Sequence, residues 1–319
     1  MTRGRLSLAA LLAVVIAAVL IVRIGRSDPP SEPEAARPSE LGLLVVDTVA
    51  GPLTAVVGSG RSRAPVALVV PSRVDLTIPG QGDGTMAGAG DLPGRQAATA
   101  AANLLGVWIT HHATLGVAEL ENVVDRAGGI EVGGTTLSGT ETVASLSGNA
   151  REQVWPATLE AVLRVAWWEP RDVRVADSPS AMADLLDAAR GASVAVLPAE
   201  EVPGGLLRTD PEVVRRTVTA AFGVADREVL PVIVLNGSGV PGIGEAVAER
   251  LIPGGFRVVV SENASSFDHA TTLVVVPSEA HRSLGERVRD LLGVGRVQVA
   301  GPASGLADVT VVVGKDFGA

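Results

Sequence analysis

Apolar and polar positions follow two periods along this chain. Leu43–Asp47 and Thr54–Val57 carry strand patterning, and Ala67–Val70 is a short apolar run of the buried-strand kind. Pro71 and the Pro79-Gly80 turn bracket a further extended piece. Arg95–Leu105 is an Ala-rich helix with Gly106 placed to end it, and a strand over Val107–Leu115 follows. Val117–Arg126 predicts a second helix, stopped at Gly128-Gly129 before a strand at Ile130–Val132. Ala181–Arg190 and Pro211–Phe222 predict helices on either side of a strand at Ser193–Leu197. A second series begins near Arg227: strand Leu230–Leu235, turn Asn236–Gly239, helix Ile243–Leu251, strands Phe256–Val260 and Thr272–Val276, helix Ala280–Leu292 and strand Val309–Val313. Strands alternating with helices predict an α/β fold.

The first forty residues have no such alternation. Leu6–Val22 is apolar apart from Ser7, and Arg3, Arg5, Arg23 and Arg26 flank it. Seventeen residues of helix span about 25 Å, short for a bilayer but within reach. A secretory signal peptide is the competing reading, but Val22-Arg23-Ile24-Gly25-Arg26 is a poor cleavage site. We therefore expect an uncleaved anchor at 1–27, with the bulk of the chain on the far side of the membrane. Residues 28–40 hold Pro29, Pro30, Pro33 and Pro38 among Ser, Glu and Ala, the composition of a stiff polar linker.

Composition narrows the function. The 319 residues carry 26 basic and 35 acidic side chains, a net charge of -9. That balance excludes a phosphate-tracking nucleic-acid binder with a basic face. With no Cys, disulfides, Cys-ligated zinc and a thiol nucleophile are excluded. There is no Tyr, and Lys315 is the only lysine.

Three local signals invite a chemical reading. Gly237-x-Gly239-x-x-Gly242 matches the dinucleotide fingerprint between a strand and a helix, with Glu262 downstream. Against it, Pro241 removes an amide that would face phosphate, and the unit is too short for two mononucleotide halves. A strand-to-helix turn that uses Gly for its backbone angles explains the pattern better. His111-His112 in a strand places the two rings on opposite faces, which argues against a shared metal. Trp155 with Trp167-Trp168 offers a sugar-stacking platform, although core packing accounts for it as well.

Several longer segments resemble the LytR-CpsA-Psr family followed by a LytR C-terminal domain. Val70-Pro71 and then Ile78-Pro79-Gly80 keep the spacing of that family's Pro-Arg-Asp and Ile-Pro-Gly segments. Asn103-Leu104-Leu105-Gly106-Val107, Val124-Asp125-x-x-Gly128-Gly129-Ile130-x-Val132 and Leu137-Ser138-Gly139 resemble further family segments. Val234-Leu235-Asn236-Gly237-Ser238-Gly239, Gly255-Phe256-x-Val258, Asn263-Ala264 and the closing Ala307–Asp316 resemble the LytR C-terminal domain. The resemblance implies an α-β-α layered domain over 41–225 and a small α/β domain over 228–319. It also implies cell-envelope chemistry: Mg²⁺-dependent transfer of a glycopolymer from polyprenyl pyrophosphate to peptidoglycan. Such a site needs Arg forks for pyrophosphate, a carboxylate for the metal and an apolar groove for the isoprenoid.

The polar positions depart from the family pattern. Ser72 and Arg73 replace its Arg and Asp after Pro71, and Pro52, Leu53 and Thr54 stand in its Arg-x-Asp-Thr stretch. Thr85, Met86 and Ala87 fall on its Lys-Ile-Asn segment. Ser145–Asn149 fall on its Tyr-x-Arg-x-Arg segment, and Arg151-Glu152-Gln153 stand near its Arg-Gln-Gln. Fold-determining Gly, Pro and apolar residues persist while phosphate and metal ligands have gone.

The expectation is an envelope protein, single-pass and mostly extracytoplasmic. It would bind lipid-linked glycopolymer, peptidoglycan or an envelope protein with weak or no catalysis, and would need no cofactor. The alternative is an active Mg²⁺-dependent phosphotransferase rescued by displaced residues, for which Arg73, Asp75, Arg95 and Arg151 are the catalytic candidates. On that reading Arg73 and Asp75 share a strand face, and Arg95 caps a helix facing them. A nucleotide-binding C-terminal module is the remaining alternative.

Overall fold

The computed structural model describes residues 40–60, 63–93, 95–173, 175–300 and 305–318. The expected anchor at 1–27, and all but Glu40 of the linker, lie outside the described residues. Among the described residues no helix is long and apolar enough to cross a membrane.

In chain order the first part holds β1 (Glu40–Val46), β2 (Leu53–Gly60), β3 (Arg63–Val70), the hairpin β4 (Asp75–Ile78) and β5 (Gly82–Thr85), and helices α1 (Met86–Gly90) and α2 (Gln96–Leu105). β6 (His111–Leu115), α3 (Val117–Arg126), the hairpin β7 (Ile130–Val132) and β8 (Thr135–Leu137), α4 (Gly139–Ser147) and α5 (Arg151–Val165) follow. β9 (Val175–Ala176), α6 (Pro179–Ala188), β10 (Ser193–Val196), the hairpin β11 (Glu200–Glu201) and β12 (Leu207–Arg208), and α7 (Pro211–Phe222) complete it. The second part runs β13 (Leu230–Asn236), α8 (Ile243–Leu251), β14 (Phe256–Asn263), β15 (Leu273–Val276), α9 (Arg282–Leu292), β16 (Arg296–Val299) and β17 (Val309–Val313).

Six strands form the first sheet in the order β10-β3-β2-β1-β6-β9. β1 pairs parallel to β6 and β10 parallel to β3, while the other pairs are antiparallel. Both faces are apolar, as a sheet covered on both sides requires. Leu41, Leu43, Val45, Val56, Leu68 and Val70 pack toward α2 and α7. Leu44, Val46, Ala55, Val57, Ala67 and Val69 pack toward α3, α5 and α6. The result is the layered α-β-α arrangement that the resemblance implied.

The second sheet has the order β14-β13-β17-β15-β16, parallel except at β15–β17. Its inner face joins the first core through α2, since Val232, Val234, Val247, Ala248, Phe256 and Val258 lie in the same cluster as Ala97–Ala102. The Ala-rich composition of α2 follows from this position. The helix is buried from Ala97 to Leu105, and small side chains let it pack against both sheets. Gly106, at φ 68°, ends it in the left-handed conformation expected of a C-terminal glycine.

The structure departs from the sequence reading in several places, among them the unpredicted strands β8, β9, β11, β12 and β16. The strand predicted over Val107–Leu115 is paired only from His111. The helices α4 and α5 were not anticipated; Pro156 inside α5 breaks the apparent helical pattern, although the fold tolerates its missing amide. The predicted helix at Ala181–Arg190 starts two residues earlier, at Pro179, with Ser178 as its cap.

Candidate functional site

Four of the segments singled out by their departures from the family pattern converge in space. A cleft of about 360 Å³ is lined by Ser72, Arg73, Thr85, Ala87, Asn149, Arg151, Glu152 and Gln153. The turn after β3, the start of α1, the loop before α5 and the first turn of α5 supply these residues. α5 begins at the cleft with no side-chain cap, so the positive end of its dipole opens there.

Inside the cleft Ser72, Arg73, Thr85, Arg151 and Glu152 are already engaged. The Ser72 hydroxyl donates to Glu152 Oε1. Arg151 Nη1 donates to the Gly51 carbonyl at 2.5 Å and to Thr48 Oγ1 at 3.4 Å, clamping the β1–β2 loop. Arg73 donates to the Gly205 carbonyl and lies 3.6 Å from Glu201, in the β11–β12 hairpin. Thr85 accepts from the Gly88 amide at 3.2 Å and so caps α1. The cleft therefore offers two guanidinium groups and a carboxylate, each with a protein partner.

The structure separates the four catalytic candidates. Arg73 and Arg151 share the cleft. Asp75 does not share a strand face with Arg73, because Arg73 sits in the turn closed by the Val74 amide on the Pro71 carbonyl, before β4 begins. Asp75 instead faces a different cavity and lies 3.9 Å from Arg208. Arg95 stands at the N-terminal flank of α2, but its side chain caps nothing. It donates to the Ile109 and Thr110 carbonyls, pairs with Asp177 at 3.2 Å and Glu249 at 3.6 Å, and covers the Trp108 ring. Those contacts tie α2 to β6, α6 and α8, partners that no local pattern encodes.

Nor do these residues suit a protein-held Mg²⁺. Hard divalent cations need carboxylates and other oxygens converging on one point. Here Glu152 is the one carboxylate lining the cleft, beside Arg73 and Arg151. Among the described residues no three His, Asp or Glu side chains gather anywhere.

The glycine fingerprint is a turn. Asn236 Oδ1 accepts from the Ser238 and Gly239 amides at 3.1 and 3.0 Å, which occupies amides that a phosphate would use. A cavity of about 740 Å³ adjoins this turn, lined by Gly80–Asp83, Gly239, Pro241, Gly242, Glu262 and Asn263 among others. His112 is buried, 3.5 Å from Asp177, and burial lowers its pKa below 6.5 against the opposing pull of Asp177. Trp155 and Trp168 are core residues, and exposed Trp167 carries the Arg190 guanidinium 3.7 Å above its ring. No three-ring platform forms.

A family model matches the C-terminal part of the chain. Residues 230–317 match the family described as LytR cell envelope-related transcriptional attenuator. No curated protein matches the chain. Among solved structures, the chain is similar to a transcriptional regulator from Enterococcus faecalis, 17% identical, covering 60% of this chain and 90% of the other with a TM-score of 0.47. It is also similar to a LytR-Csp2A-Psr enzyme from Actinomyces oris, 18% identical over 60% and 94% of the two chains with a TM-score of 0.47. A third is the LytR-CPS2A-psr family protein YwtF (TagT) with bound octaprenyl pyrophosphate lipid, 16% identical over 59% and 92% with a TM-score of 0.47; ywtF is from Bacillus subtilis.

Proposed function

We propose that this chain is a cell-envelope protein of the LytR-CpsA-Psr type that binds a lipid-linked glycopolymer and has little or no transferase activity. On this reading residues 1–27 anchor it in the cell membrane and the rest lies outside the cytoplasm. The LytR-CpsA-Psr-like part spans 41–225 and the LytR C-terminal part 228–319, with peptidoglycan or an envelope protein as further partners.

One observation carries the proposal. Four of the segments where the family pattern has its polar residues meet in one cleft, which Ser72, Thr85, Ala87 and Asn149 line beside Arg73 and Arg151. The two Arg side chains that remain hold the backbone of neighbouring loops. A cleft of this kind retains attraction for an anionic headgroup through Arg73, Arg151 and the start of α5. It lacks donors aimed at a charge that develops only in the transition state. The presence of both guanidinium groups in the same cleft also favours the second reading, an Mg²⁺-dependent phosphotransferase, which would require the ion to arrive with the substrate phosphates.

The full chain in non-ionic detergent is incubated with a polyprenyl-pyrophosphate-linked oligosaccharide and Mg²⁺. We expect retention of the glycolipid, weakened by Arg151→Ala, without its consumption. Robust Mg²⁺-dependent turnover that Arg73→Ala abolishes would overturn the proposal in favour of the transferase.

A further inference from the structure

The second part of the chain contains a half-buried Arg whose Nε is buried without a hydrogen-bond partner. Arg257 is the second residue of β14, the edge strand of the second sheet, opposite Pro231 of β13. Its neighbours Phe256 and Val258 face the core. Its Nε is buried and makes no hydrogen bond, and among the described residues it forms no ion pair. Burial alone lowers its pKa from the ordinary value, with no nearby charge offsetting it.

Two cavities meet at this side chain. One, of about 220 Å³, is lined by Leu104, Pro211, Val214, Arg215 and Val229 with Arg257. The other, of about 260 Å³, is lined by Leu76, Thr77, Asn103, Leu104, Thr209 and Pro211 with Arg257. The carboxylates on their walls do not neutralise it. Glu212 is held by Arg215 at 2.6 Å, Asp75 pairs with Arg208, and Glu228 and Asp83 form no ion pair with it.

A guanidinium stays protonated in such a setting, and a buried N–H left without an acceptor is costly. The flat fork of Arg matches the paired oxygens of a carboxylate or phosphate. Apolar walls at Leu104, Pro211, Val214 and Val229 suit a short hydrocarbon attached to that oxyanion. We propose that Arg257 and its two flanking cavities form a binding site for a small oxyanion, phosphate or carboxylate, carried on an apolar group. The site lies where β14 meets α2 and the start of α7, and it shares no residue with the Arg73–Arg151 cleft. It does not depend on the reading of that cleft.

Isothermal titration of the full chain in non-ionic detergent, at constant ionic strength, tests the site with inorganic phosphate, butyl phosphate and butyrate. We expect butyl phosphate or butyrate to bind, with Kd at least tenfold weaker in Arg257→Met and intermediate in Arg257→Lys. Inorganic phosphate binding as tightly as butyl phosphate would assign the site to the free anion and still support it. Arg257→Met removes an unpaired charge, so it should fold as well as the parent. Absence of binding by all three probes, or equal binding by the parent and Arg257→Met, would overturn the proposal and leave Arg257 solvated by water alone.

Discussion

Asn103 joins the two sheets, and removing its amide should loosen that junction measurably. Its side chain is 2% exposed, within α2. Nδ2 donates to the Val258 carbonyl at 2.9 Å and to the Thr77 carbonyl at 3.1 Å, and Oδ1 accepts from the Val258 amide at 2.8 Å. The amide thus pairs with the open edge of β14 as another strand would, and ties the β4–β5 hairpin to the same point. Asn103→Leu keeps the approximate volume and leaves the Val258 amide, the Val258 carbonyl and the Thr77 carbonyl without this partner. Each buried group left unpaired costs about 1–3 kcal/mol. The added apolar surface returns about 1 kcal/mol, so for the three groups a net loss of about 2–8 kcal/mol is expected. With a urea dependence near 3 kcal/mol per M, the unfolding midpoint falls by about 1–3 M. Asn103→Asp should be worse, since one carboxylate oxygen would then face two carbonyls. Urea unfolding followed by Trp fluorescence, with hydrogen exchange at the Val258 amide, provides the assay. A loss under about 1 kcal/mol, together with unchanged Val258 protection, would refute the claim that this amide closes the sheet edge.

Two further outcomes follow from the geometry. In Gly244→Ala the new Cβ would lie 2.6 Å from the Gly80 backbone nitrogen, so a loss of about 1–3 kcal/mol is expected in the same urea titration; Gly242→Ala meets no atom within 4 Å and pays only for its positive φ. Because burial holds the His112 pKa below 6.5 in the folded chain, the unfolded chain takes up that proton first as pH falls; stability should be fully present above about 6.5 and decline below it, and His112→Gln should flatten that decline in urea titrations from pH 7.5 to 5.5.

Much of the fold was legible because local chemistry and tertiary packing agree. Gly106 ends its helix in the left-handed conformation, as its position after an apolar periodic run suggests. α4 was equally legible in principle: Ser138 and Glu141 form a reciprocal capping box, but Ser138 was read only as part of a family segment. The shortened β6 has a different cause. Arg95 takes the Ile109 and Thr110 carbonyls, and no periodicity encodes a guanidinium that reaches 15 residues along the chain.

The cleft divides in the same way. Its lining is legible only in part: the departures at Ser72, Thr85, Ala87 and Asn149 fall at the cleft, whereas those at Pro52–Thr54 do not line it. Its chemical state is not legible, because that depends on long-range partners: Gly205 for Arg73 and Gly51 for Arg151. An Arg counted from the sequence is a potential anion clamp, whereas an Arg bonded to a backbone carbonyl must exchange that bond for a ligand. The same reasoning reverses at Arg257. It occupies the open position of the quoted Gly255-Phe256-x-Val258 segment, and among the described residues it is the guanidinium with a buried, unbonded Nε. Capacity to bind an anion therefore follows unsatisfied donors rather than the number of basic residues. In a chain of net charge -9, that shifts attention from the Arg73–Arg151 cleft to the junction between the two sheets.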